Sequence, residues 1–123
     1  MKETLWVGAG GFAGAVARYL LGGWMTSWLG PGFPYATFVI NVTGSFVLGL
    51  LLGMLEGHVV SPIVPLSMAV GFLGAYTTFS TFSYETLRLL EDGSFLLAGV
   101  NVVGSVLVGL FSAMLGLAAG RGT

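Results

Sequence analysis

Charge is confined to Lys2, Glu3, Arg18, Glu56, Glu85, Arg88, Glu91, Asp92 and Arg121. Between these positions lie long uncharged runs, 19–55, 57–84 and 93–120. A membrane-spanning helix needs about 20 mostly apolar residues, so 57–84 and 93–120 fit one helix each. The run 19–55 is too long for one helix and contains Gly30-Pro31-Gly32-Phe33-Pro34, which reads as a turn. The pattern predicts helices near 4–24, 34–55, 62–88 and 95–118, joined by short loops into a single domain over residues 1–123. Trp6, Trp24, Trp28 and Tyr35 fall near predicted helix ends, where an aromatic belt meets the membrane surface. Lys2, an apolar stretch and Ala15-Val16-Ala17 imitate a secretory signal, but Glu3 and the glycines between them argue against cleavage.

Composition sharpens this. The chain is 55% apolar and 7% charged, with a mean hydropathy of +0.95, whereas soluble domains carry roughly 25% charged residues. Four cations and five anions cannot cover a soluble surface or build a basic patch for nucleic acid. Without cysteine there is no disulfide, thiolate metal site or cysteine nucleophile. The fold class is an all-α integral membrane protein.

Two stretches recur at an offset of 60 residues. Gly11-Phe12-Ala13-Gly14-Ala15 matches Gly71-Phe72-Leu73-Gly74-Ala75, and Asn41-Val42-Thr43-Gly44-Ser45 matches Asn101-Val102-Val103-Gly104-Ser105. The chain reads as two copies of a two-helix hairpin, about 8–60 and 68–120. Each copy holds an even number of spans, so both enter the membrane in the same direction, as parallel repeats do. Asn41, Ser45, Gly49 and Gly53 share one face of the second helix, and Asn101, Ser105 and Gly109 share one face of the fourth. Helix packing accounts for the glycines. A carboxamide in hydrocarbon is costly without partners, and two at equivalent positions point to polar tracks.

The third helix departs from membrane custom. In Gly74-Ala75-Tyr76-Thr77-Thr78-Phe79-Ser80-Thr81-Phe82-Ser83-Tyr84-Glu85, hydroxyls alternate with aromatic rings at mid-span. Threonine hydroxyls that cap their own helix would give only a slight bend. Thr77-Thr78 after Gly74 also suits an unwound turn, and non-helical backbone at membrane depth occurs where it lines a cavity or site. Carbonyls freed there suit a hard cation such as Na⁺. Phe79 and Phe82 lie three apart, and the positive edges of two such rings can hold a small anion.

This segment closely resembles the signature of the CrcB/Fluc fluoride channels, and the resemblance extends over the chain through Arg18-Tyr19 and the Asn-Val-x-Gly-Ser stretch at Asn41. It implies an antiparallel dual-topology homodimer with two fluoride pores and a structural Na⁺ at the dimer centre, and no organic cofactor. Matched by residue, Gly74 and Thr77 would offer backbone carbonyls to Na⁺. Phe79 and Phe82 would contact fluoride, and Asn41 would be the pore amide. Thr37 and Ser105 would extend the polar track, Arg18 would lie at a vestibule and Glu85 near the pore exit. Ala75 stands where the family usually has a second glycine, and Asn101 where a tyrosine is common. The first departure changes little; the second leaves the fourth helix's share of the pore open.

Passive fluoride export across a bacterial or archaeal plasma membrane is thus the expected function. A small multidrug exporter is also a four-helix dual-topology dimer, but needs a membrane-embedded carboxylate for proton exchange. Glu3 and Glu85, each near a helix end, are poor candidates. A purely structural bundle explains the glycines but not the polar tracks. The spans hold no Ser/His pair, Asp dyad or metal-ligand cluster, and His58 falls in a loop, so an enzyme is not expected. Lys2 and Arg121 on one side balance Arg18 and Arg88 on the other, so nothing biases insertion toward one orientation. The expected partners are fluoride, the bilayer and a second copy of the chain.

Overall fold

In water a chain this apolar would aggregate; in lipid its backbone groups must pair within the chain, which favours helices. The computed structural model describes residues 1–123 and contains helices without strands. Helix α1 spans Lys2–Leu29 and α2 spans Tyr35–Leu55. The third segment, Ile63–Glu91, is interrupted. Its first part, α3, runs through the turns Ile63–Pro65, Leu66–Leu73 and Gly74–Tyr76, and its second part, α4, spans Ser80–Glu91. Helix α5 spans Phe95–Arg121.

The middle of α3, Leu66–Leu73, is wound as a π-helix, a form often associated with functional sites. Helix α1 continues to Leu29 instead of ending near residue 24. Nothing in Met25-Thr26-Ser27-Trp28 interrupts a helix, and the first residue to leave the helical region is Gly30, at φ +79°. Such a positive φ favours glycine.

Three helical segments are long and apolar enough to cross a membrane: Tyr35–Leu55, Ile63–Glu91 and Phe95–Arg121. Helix α1 has the length, 28 residues, but Lys2, Glu3, Arg18 and several glycines leave it less apolar. Only 15 of 123 residues are buried, while leucines, valines and phenylalanines dominate the exposed positions. That surface belongs in lipid or against another apolar face. The chain is a multi-pass membrane protein.

Packing joins α1 to α3 and α2 to α5, each pair parallel. Gly10 lies against Ser67, and Arg18 against Ala75; likewise Val42 meets Ser112, and Glu56 meets Arg121. Close approach depends on small residues. Gly49 and Gly53 of α2 leave room for the backbone at Ala113 and Leu117, while Gly116 and Gly120 of α5 leave room for Phe46 and Leu50. The Ser112 hydroxyl, brought near by this contact, donates to Val42 O at 2.8 Å. At the end of the pair Arg121 grips Glu56 with two bonds, Nε to Oε2 at 2.6 Å and a terminal nitrogen to Oε1 at 2.9 Å.

Candidate functional site

The break between α3 and α4 begins at Thr77, whose ψ of 158° is extended. This is the Thr77-Thr78 turn expected from the sequence, and Gly74 before it is itself helical at φ −62° and ψ −36°. Its glycine freedom is unused; the chain opens three residues later, at a β-branched residue that suits extended backbone. Gly44 of α2 provides the space, because any side chain there would collide with the Thr77 methyl group.

Every backbone group exposed by such a break must find a partner or pay for its absence. Asn41 supplies two partners at once: its Nδ2 donates to Thr78 O at 3.0 Å, and its Oδ1 accepts from Thr78 N–H at 2.8 Å. The carboxamide thus pairs with a residue 37 positions away as a neighbouring peptide group would. Thr78 Oγ1 accepts from Thr81 N–H at 3.2 Å, and Arg18 Nε donates to Ala75 O at 3.0 Å. In an unbroken helix Thr78 N–H would serve Gly74 O, and Thr81 N–H would serve Thr77 O. Both donors are diverted, and the carbonyls of Gly74 and Thr77 receive neither. Uncommitted carbonyl oxygens are the donor set a hard cation takes, so the residues present fit the Na⁺ implied by the family resemblance.

Two cavities flank the Asn41–Thr78 clamp. A groove of about 380 Å³ is lined by Asn41, Ser45, Gly74, Thr77, Thr78, Phe79, Phe82 and Ser105 among others. On the other side Arg18, Thr37, Thr78, Thr81 and Glu85 are among the residues that line a hollow of about 590 Å³. The sequence-predicted site residues therefore form two groups, with Thr78 common to both linings. Phe79 and Phe82 have ring centroids 6.0 Å apart and planes inclined by 46°. Phe79 is 79% exposed on the single chain. It precedes the first turn of α4, the end of a helix that favours negative charge. Glu85 Oε1 is shielded from solvent without a hydrogen-bond partner.

Asn101 lines neither cavity. It is 1% exposed, and its Nδ2 donates to Thr86 Oγ1 at 2.9 Å, which in turn donates to Phe82 O at 2.8 Å. The two repeat-related asparagines thus do different work, one clamping the break and the other tying α5 to α4. Ser105 lines the groove and lies 3.5 Å from Asn101 Oδ1, at the limit of a hydrogen bond. Sequence reasoning missed Thr78 and Thr86. The doubled threonine marked the right segment, but a partner 37 residues away leaves no trace in local spacing.

Among known proteins, the model of the CrcB-like protein, Camphor Resistance (CrcB) family matches residues 5–117. A protein named Fluoride-specific ion channel FluC from Geotalea daltonii is 48% identical over 122 residues, 98% of each chain. Proteins of the same name from Geobacter metallireducens and Acidobacterium capsulatum are 49% and 48% identical, covering 90% or more of each chain. A family model over nearly the whole length, and relatives at almost half identity end to end, leave no part of the break or either cavity outside the match. The chain belongs to the CrcB-like family.

Proposed function

We propose that this protein is a fluoride-specific channel that lets cytoplasmic fluoride leave the cell passively. The observation that carries the reading is the groove itself: an amide, four hydroxyl-bearing residues and a tilted pair of phenyl rings meet beside a helix break, with no charged side chain in the lining. Such a lining offers an anion several weak donors and positive ring edges, holding it firmly enough to replace water and loosely enough to release it. The names of the relatives point to the same ion.

The functional unit is an antiparallel homodimer with two pores. Helix α1 is the fourth span: 28 residues give about 42 Å, more than the roughly 30 Å hydrocarbon core requires. Support for the dimer comes from the exposed Phe79 ring, the apolar exterior and the even distribution of positive charge across the two sides. The parallel pairing of α1 with α3 and of α2 with α5 supports the two-hairpin repeat. In each pore Asn41 contributes its second N–H, which has no acceptor in the chain, and Phe79 and Phe82 contribute ring edges. Thr37 and Ser105 continue the polar path, Arg18 attracts the anion at a vestibule, and Glu85 stands at the opposite approach. Gly74 and Thr77 hold a structural Na⁺ through their carbonyls. The cation supplies fixed positive charge at the dimer centre.

Fluoride is the anion of a weak acid. HF crosses lipid from acidic surroundings and ionises in a neutral interior, so a route for the trapped anion suffices, with no energy input. The test is efflux from proteoliposomes loaded with fluoride or chloride. Rapid fluoride efflux with chloride retained is expected; retention of both ions would overturn the proposal.

A further inference from the structure

The carbonyls of Gly74 and Thr77 are free only because two backbone donors are held elsewhere. One is Thr78 N–H, taken by Asn41 Oδ1 at 2.8 Å; the other is Thr81 N–H, taken by Thr78 Oγ1 at 3.2 Å. Without these acceptors each N–H has a default partner four residues back, Gly74 O or Thr77 O, and the helix closes. Closure would then consume the oxygens the cation needs.

We infer that Asn41 and Thr78 are positioning residues that hold the third helix open, diverting the N–H groups of Thr78 and Thr81 so that Gly74 O and Thr77 O face a cation. The inference rests on the reading of those carbonyls as a Na⁺ site. It extends the part played by Asn41: one side chain lines the groove and also builds the ion site beside it. It also gives Thr78 a task that its place between two cavities does not explain. Two features make the device specific. Asn is the shortest side chain that both donates and accepts through an amide, matching the two groups of one peptide residue. The Thr78 hydroxyl acts as an acceptor for an N–H three residues on, as helix-capping hydroxyls do.

The test uses the purified full-length protein in detergent with two readouts. The first is thermal stability as Na⁺ replaces choline at constant ionic strength. The second is amide hydrogen exchange at Thr78 and Thr81. Wild type should be stabilised by Na⁺ with both amides protected. Thr78→Val keeps the shape but removes the acceptor, and should need roughly fivefold more Na⁺ for the same stabilisation, as expected for loss of one neutral hydrogen bond. Thr78→Ser should retain the wild-type Na⁺ response. Asn41→Leu should lose the Na⁺ response and change exchange at Thr78; if it fails to fold, the Thr78 pair still decides.

An unaltered Na⁺ response in Thr78→Val overturns the inference. So does a wild-type Na⁺ response in a folded Asn41→Leu. Wild type that ignores Na⁺ while the exchange changes appear as expected removes the cation site and leaves the clamp standing, which separates the two failures.

Discussion

Gly116→Ala tests how tightly the α2–α5 contact is drawn. A methyl group at this position overlaps the Phe46 carbonyl oxygen and lies 2.9 Å from Leu50 N and 3.0 Å from Phe46 C, all of them backbone atoms. No rotamer change can relieve a clash with backbone. The helices must part by about 1 Å, an overpacking that typically costs about 1–3 kcal/mol. One turn away, Ser112 Oγ donates to Val42 O at 2.8 Å, and the same separation breaks that bond at a further cost of about 0.6 kcal/mol for a membrane helix pair. Gly104→Ala is the control, because nothing lies within 4 Å of the added methyl group. Reversible unfolding in mixed micelles at increasing denaturing detergent should show Gly116→Ala destabilised by about 2–3 kcal/mol and Gly104→Ala unchanged or slightly stabilised. Equal stability for the two variants would refute the claim that backbone contact through glycine draws α2 and α5 together.

Phe79→Ile and Phe82→Ile should each lower fluoride efflux from proteoliposomes while changing stability by less than about 1.5 kcal/mol; undiminished efflux in both would reduce the rings to packing. The hydrogen bond from Arg121 holds the Glu56 carboxyl below its ordinary value of 4.5, so the pair stabilises the fold above that value and loses its effect as pH falls through the lowered one. Glu56→Gln should therefore flatten the acid limb of a stability profile at low salt, and a limb identical to wild type would count against the pairing. A C-terminal tag labelled separately from each side of intact cells should be found on both sides in comparable amounts; a tag on one side only would break the antiparallel dimer. Asn101→Leu keeps the branched shape but removes the donor to Thr86, and should cost about 1 kcal/mol or more by loss of one buried bond, measured by the same micelle unfolding; no loss would mean the link from α5 to α4 is unimportant.

Spans and candidate chemistry were legible in the sequence because both are local properties. An uncharged run of membrane length reports its own solvent, and a Thr-Thr pair beside phenylalanines in such a run stands out without further context. The position of the break was legible too: Thr77-Thr78 reads as an unwound turn, and the chain opens at Thr77. The reason it opens there was not legible: Gly74 before the turn stays helical, since conformational freedom is permission and not a force, and the chain opens at Thr77, where Asn41 offers a substitute partner and Gly44 leaves space. Long-range pairs were not legible at all. The equivalence of Asn41 and Asn101 in the repeat gave no hint that one would bind backbone and the other a threonine hydroxyl, because that choice depends on which helix faces each asparagine. The end of α1 was misplaced for a simpler reason: Trp24 and Trp28 mark an interface, and a helix can run past the interface until something such as Gly30 stops it.

The exchange of partners between hairpins also bears on how the protein is made. Helix α1 finds its close-packed neighbour in α3 and α2 finds its own in α5, so neither helix of the first hairpin meets its glycine-matched groove until the second has left the ribosome. Until then the first hairpin waits in the bilayer with its small-residue stripes against lipid and Asn41 without Thr78. Assembly is obliged to be late and concerted, and a chain cut after residue 60 should be a substrate for membrane quality control instead of a stable half.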